Sequence, residues 1–137
     1  MANTTFTGPV RSENGFESIT KNGTTGAITT NASYGATITG GVQALADSGA
    51  ADLTNLVTEL TTTGVGAAAV TLANGTTAGQ IKIITMVADG GGTATVTPAT
   101  FASGTTIAFD AVAESVTLVW NSAIGWVATS VQGATIA

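Results

Sequence analysis

Eight carboxylates, three basic side chains and many hydroxyls are the groups of this chain that could do acid–base or nucleophilic chemistry. Histidine and cysteine are both absent, so the commonest general base and the soft metal ligands are missing. Ser–His and Cys–His nucleophilic arrangements are excluded by composition alone. A glycosidase needs two carboxyls facing each other across a cleft. The pairs near enough in sequence are Asp110 with Glu114 and Asp47 with Asp52. A stretch such as Asp110–Glu114 more often caps and solvates a loop between two strands, and that is the expectation here. Lys82 could serve a serine or threonine as base. Set among isoleucines in a strand, it reads instead as a lysine whose stem covers apolar surface while its ammonium reaches water. Calcium is the metal best suited to an all-oxygen ligand set, with Asp89 or Asp110 and Glu114 as contributors. The spacing matches no calcium loop, and solvated turns are expected. The run Gly90–Gly92 lacks the lysine and following helix of a phosphate loop. No catalytic residue, metal or cofactor is assigned, and the chain is not expected to be an enzyme.

Composition points toward packing and self-association. Only 8% of the 137 residues are charged, and much of the 44% hydrophobic fraction is alanine and valine. A core of small side chains buries little apolar area per residue, at about 25 cal/mol per Å². The 18 glycines add backbone entropy that folding must overcome. An oligomer would offset both by burying further surface. Mean hydropathy is +0.42, yet the most apolar stretch, Gly66 to Ala73, is far short of a membrane-spanning helix. The opening residues have neither the basic nor the apolar region of a signal peptide, so none is expected. The net charge of −5 falls entirely after residue 40, because Arg11, Glu13, Glu17 and Lys21 cancel. With Arg11, Lys21 and Lys82 as the only bases, no nucleic-acid partner is expected, and no membrane partner either.

The chain divides by texture. Residues 1–40 are rich in Thr, Asn, Gly and Ser, with bulky apolar residues placed singly: Phe6, Val10, Phe16, Ile19, Ile28, Tyr34 and Ile38. Lone anchors in an extended polar background suit an arm lying on another surface, with a flexible tail as the alternative. Residues 41–137 read as a compact β domain. From Asp52 to Leu60 the spacing of Leu53, Leu56, Val57 and Leu60 fits a helix, but the threonines favour a strand, and a strand is expected. Further strands are expected at Ala67–Leu72, Gln80–Val87, Thr93–Thr97 and Thr105–Phe109, and a hairpin at Ser115–Trp120 and Trp126–Ser130. In Gln80–Val87, Ile81, Ile83 and Thr85 fall on one side and Lys82, Ile84 and Met86 on the other. Short strands broken by frequent turns argue an all-β fold: a small sandwich, barrel or β-roll. No exact internal repeat is visible. Trp120 and Trp126 could stack on sugars, but among Val, Leu and Ile they read as structural.

The opening from Met1 to Phe16 (MANTTFTGPVRSENGF) resembles the start of small structural proteins of tailed bacteriophages, particularly marine ones. Residues 52–137 carry a second resemblance, through Thr62–Gly64, Val70–Leu72, Ala78–Lys82, Thr93–Pro98, Gly104–Asp110, Glu114–Trp120 and Gly125–Trp126. That pattern is similar to the trimeric β-rich modules of phage capsid decoration (cement) proteins, head fibres and some tail fibres. The resemblance implies a virion structural protein with an extended amino-terminal arm, acting as a homotrimer. An arm plus one compact domain leaves no room for a long fibre shaft, which favours a decoration protein on the outer capsid surface. Its partners would be the major capsid protein and two further copies of itself. Capsid contact is assigned to Phe6, Pro9, Val10, Arg11 and Phe16, and the trimer interface to Ile83, Val116, Leu118 and Trp120. The alternative is a short head fibre or tail-associated protein touching host glycan through Trp126 and exposed Thr or Asn. An array-forming surface-layer or pilus-like subunit also fits the composition.

Overall fold

The computed structural model describes residues 17–33 and 41–137, which belong to two separate units. In the first, β1 (Glu17–Lys21) and β2 (Ile28–Ser33) form an antiparallel hairpin with a register shift after Ser18. Its turn is set by Asn22, whose Oδ1 accepts from the N–H groups of Thr24 (2.9 Å) and Thr25 (3.0 Å). Such side-chain mimicry of a backbone turn is why asparagine is favoured there. Residues 17–33 of the expected arm therefore double back on themselves.

The second unit is all-β, with no helix among the described residues. Ten strands follow: β3 (Val42–Ala46), β4 (Gly49–Ala51), β5 (Val57–Thr61), β6 (Ala68–Leu72), β7 (Ile81–Ala88), β8 (Ala94–Pro98), β9 (Ile107–Phe109), β10 (Ser115–Asn121), β11 (Gly125–Gln132) and β12 (Thr135–Ile136). They make two five-stranded sheets, in the orders β11-β10-β7-β5-β3 and β12-β9-β8-β6-β4. Neither sheet closes on itself, so the barrel alternative is set aside. From β3 to β8 the chain alternates between the sheets, and each new strand pairs in parallel with the one two places earlier. Each circuit thus places one strand in each sheet, the layered arrangement of a β-roll. The antiparallel strands β9 to β12 then extend both sheets.

Alternation within the strands builds the core. Leu60, Ile84, Met86, Val116 and Leu118 of the first sheet and Val70, Leu72, Val96, Ile107 and Phe109 of the second are almost wholly buried in one cluster. Side chains of period two direct these residues inward and leave their neighbours outside. The expected strands are present, with ends shifted by one or two residues. The Asp52–Leu60 ambiguity resolves into a loop at residues 52–56 followed by β5. Leu56 and Val57 therefore do not share a helical face.

The second and third circuits are structural copies. Val57 lies beside Ile83 in one sheet and Ala68 beside Ala94 in the other, at the same sequence separation. Gly64 and Gly66 stack under Gly90 and Gly92 at the turn. A Cβ on Gly90 would fall 2.6 Å from the Gly64 nitrogen, and one on Gly92 would overlap the Gly66 carbonyl. Backbone approach this close admits only glycine, which explains the Gly90–Gly92 run without a ligand.

Candidate functional site

Three aspartates of the β-roll, Asp47, Asp52 and Asp89, help hold successive circuits together. On one edge, Asp47 sits in the β3–β4 turn with φ of 55°. It accepts from the Thr63 N–H (2.8 Å) and hydroxyl (2.6 Å) of the next turn. The Thr63 hydroxyl first, then its N–H, hold the Asp47 carboxyl below the usual aspartate range. One circuit further on, the Thr62 hydroxyl donates to Asp89 (3.2 Å) and accepts from the Gly90 N–H (2.9 Å). Alternating Asp and Thr thus tie three turns into a ladder.

The opposite edge is held by Lys82. Its side chain is 1% exposed, and its Nζ donates to the Asn55 carbonyl at 2.8 Å, with Asp52 Oδ1 at 3.9 Å. The expected surface lysine is therefore a core lysine. The reason lies in the β4–β5 loop, which folds over the strand end and offers a carbonyl where water would otherwise be. Burial pushes the Lys82 ammonium below the usual lysine range, and Asp52 only partly offsets this. Burial alone would raise Asp52. The Asn55 N–H and side-chain amide, the Lys82 charge and the Thr54 N–H outweigh it and hold Asp52 below its usual value. Gln43 and Gln80 complete this polar edge. Gln43 Oε1 accepts from the Asp52 N–H and the buried Thr58 hydroxyl, and Gln80 Nε2 donates to the Leu53 carbonyl. Sequence reasoning missed Asn55, Thr58, Thr63 and both glutamines. Asp52 followed three residues later by Asn55 was a readable turn signal; the other partners are remote in sequence.

The two carboxylate pairs near in sequence bond to backbone and side chains of turns and loops. Asp47 and Asp52 serve different turns. Glu114 Oε2 accepts from the Asp110 N–H at 2.7 Å, closing the loop between β9 and β10 as expected. Among the described residues, no three Asp or Glu side chains group as a metal site.

Trp120 and Trp126 pack edge to face, with ring centroids 5.4 Å apart and planes at 62°. Trp126 is fully buried and its Nε1–H donates to the Ala73 carbonyl at 2.9 Å. It offers no face to a sugar, in keeping with its structural reading, and the glycan contact given to it in the fibre alternative is corrected. Of the residues assigned to a trimer interface, Val116, Leu118 and Trp120 belong to the domain's own core. Inward-facing positions of β10 leave no surface for a second copy. Ile83 alone is on the outer face, half-buried beside Val57. Phe6, Pro9, Val10, Arg11 and Phe16 lie outside the described residues.

What the second unit presents to solvent is the outer faces of its two sheets. The β4–β6–β8–β9–β12 face carries Ala50, Ala69, Thr71, Thr95, Thr97, Ala108 and Thr135. The other carries β-branched residues in lateral register, Val42, Val57 and Ile83 in one row and Ile81, Val119 and Val127 in the next, together with Ala44, Glu59, Thr85 and Thr117. Glu59 is the one carboxylate of this unit within a strand; its others lie in turns and loops. The chain matches no protein-family model and no curated protein.

Proposed function

We propose that this protein is a bacteriophage capsid decoration (cement) protein, a homotrimer whose amino-terminal segment grips the major capsid protein on the outer surface of the virion. The observation that carries the reading is the division of labour within the second unit. Asp47, Asp52, Asp89 and its lysine are committed to stapling turns, while its broad outer sheet faces carry a single carboxylate, Glu59. That is the build of a packing module, and it favours a structural role over catalysis. The resemblance of residues 1–16 and 52–137 to phage virion proteins supplies the setting. Three amino-terminal segments per trimer would turn weak single contacts into avid binding to the shell.

The test is co-sedimentation with capsids that lack the protein, together with light scattering of the free protein. A trimer that sediments with capsids, and a variant without residues 1–20 that remains trimeric but does not, is the expected result. Unimpaired capsid binding by the truncated protein would overturn the arm's role. The fibre alternative predicts glycan or cell binding by the free protein, and the burial of Trp126 leaves that reading with exposed Thr and Asn alone.

A further inference from the structure

We propose that Asn74 is a site of self-modification: in the folded protein the Gly75 nitrogen displaces the Asn74 amide nitrogen as ammonia, and the isoaspartate that follows unseats the Trp120–Trp126 pair.

The chain carries the tetrapeptide Asn-Gly-Thr-Thr twice, at residues 22–25 and at 74–77. Asparagine before glycine is open to this reaction because the following residue has no side chain to hinder attack by its nitrogen. The two copies share their local chemistry and differ in folded surroundings. At the first, Asn22 Oδ1 accepts from the N–H groups of Thr24 (2.9 Å) and Thr25 (3.0 Å), and its own N–H and carbonyl bond to Ala27 and Gly26. Cyclisation there has to break that turn. At the second, Gln80 fills the place that Asn22 fills at the first: its Oε1 accepts from the Thr76 N–H (2.9 Å) and hydroxyl (3.4 Å). Among the described residues nothing then bonds to the Asn74 carboxamide or to the Gly75 N–H, and Asn74 is exposed. An unheld electrophile beside its own nucleophile needs only a rotation to react.

The step needs nothing but water. Gly75 gives up its amide proton to solvent base, its nitrogen attacks Asn74 Cγ, and the Cγ–Nδ2 bond breaks. The departing nitrogen takes a proton back from solvent and leaves as ammonia, and a cyclic imide remains. Water then opens the imide at one carbonyl to aspartate, or at the other to isoaspartate, in which the backbone runs through the side chain and is one methylene longer. That methylene falls between two anchors of the tryptophan pair. The Ala73 carbonyl accepts from Trp126 Nε1–H at 2.9 Å, and Gly75 lies so close to Trp120 that a Cβ there would be 2.3 Å from the ring's Cγ. A longer path between the two anchors cannot keep both contacts.

Wild-type protein aged in warm, mildly alkaline buffer, both folded and in urea, tests the site by mass-spectrometric peptide mapping. Each folded rate is taken relative to the rate of the same residue in urea, where the shared tetrapeptide alone sets it. On that scale Asn74 should convert about tenfold faster than Asn22, the worth of the two hydrogen bonds that hold the Asn22 carboxamide. Equal relative rates, or a faster Asn22, overturn the site. Tryptophan emission tests the consequence, since a buried indole that meets water emits further to the red. Conversion at residue 74 should bring that shift. Asn74→Gln, whose longer side chain cyclises far more slowly, should keep its emission when aged alongside. Unchanged emission after complete conversion at residue 74, or the same shift in Asn74→Gln, overturns the unseating of the pair.

Discussion

Lys82 Nζ donates to the backbone carbonyl of Asn55 at 2.8 Å, joining the start of β7 to the loop that leads into β5. A lysine that looks like a solvent-facing strand residue is thereby the bolt between circuits. Its ammonium is out of water, and the nearest carboxylate, on Asp52, is 3.9 Å away and one-third exposed.

Replacing Lys82 separates its volume from its charge. Removing one partner of a buried ion pair typically costs about 3–5 kcal/mol, but an apolar replacement of similar volume is often neutral. Asp52 retains its Asn55 and Thr54 donors without the lysine, so the second case applies. Lys82→Met should unfold within about 1 kcal/mol of the wild type, the lost hydrogen bond offsetting the relief of the buried charge. Lys82→Ala leaves a cavity and should cost about 2–5 kcal/mol. Urea denaturation of the two variants checks this.

The same lysine sets a pH dependence. Its folded-state pKa is depressed, chiefly by burial. Between that value and the unfolded value of about 10.4, the unfolded chain holds a proton that the native state has shed. Stability therefore rises with pH across that window. Denaturation from neutral pH to pH 10 should show the rise in the wild type, and Lys82→Met should flatten it.

Acid acts in the opposite sense on Asp47 and Asp52, both held below their unfolded values. Their contribution is complete above about pH 4 and is lost as pH falls through the folded-state pKa values. Asp47→Asn and Asp52→Asn should each shallow the fall of melting temperature on acidification. An unchanged acid limb would show that other carboxylates dominate it.

The glycine stack gives a paired test. A methyl group at Gly92 would collide with the Gly66 carbonyl, whereas one at Gly66 would meet nothing within 4 Å. Gly92→Ala should cost about 3 kcal/mol, in the range of overpacked cores. Gly66→Ala should stay within about 0.5 kcal/mol, as for an unconstrained surface site. Thermal melting distinguishes them.

Trp126→Phe removes the indole donor to Ala73 and the edge contact with Trp120. An orphaned buried acceptor costs about 1–3 kcal/mol, and a loss of that size is expected in denaturant titration. Adding glycans should leave the emission of the wild-type tryptophans unchanged, because Trp126 is sealed from solvent.

Much of the strand content was legible because side-chain alternation is local. The Gln80–Val87 segment already placed Lys82 on the side of Ile84 and Met86, and β7 buries all three. The β10–β11 hairpin was legible for the same reason: its turn, Asn121–Gly125, is continuous in sequence. The stacked circuits were not. Gly64 and Gly90 match in position, but Thr58 stands where the next circuit has Ile84, and Asp89 where the previous one has Thr63. Divergent side chains on a shared backbone path leave little identity to detect.

By itself the sequence determined that this chain has no histidine or thiol chemistry, that residues 41–137 are built of short strands, and which residues alternate along each. Those properties depend on composition and on a two-residue period. Only the tertiary structure decided which strands pair, that Lys82 is roofed by the Asn55 loop, that Val116, Leu118 and Trp120 are spent on the core, and that valine and isoleucine line up in rows on one outer face while the other carries alanine and threonine. Each of these depends on residues far apart in the chain meeting in space, and alternation along a strand states which side a residue takes but not what lies across from it.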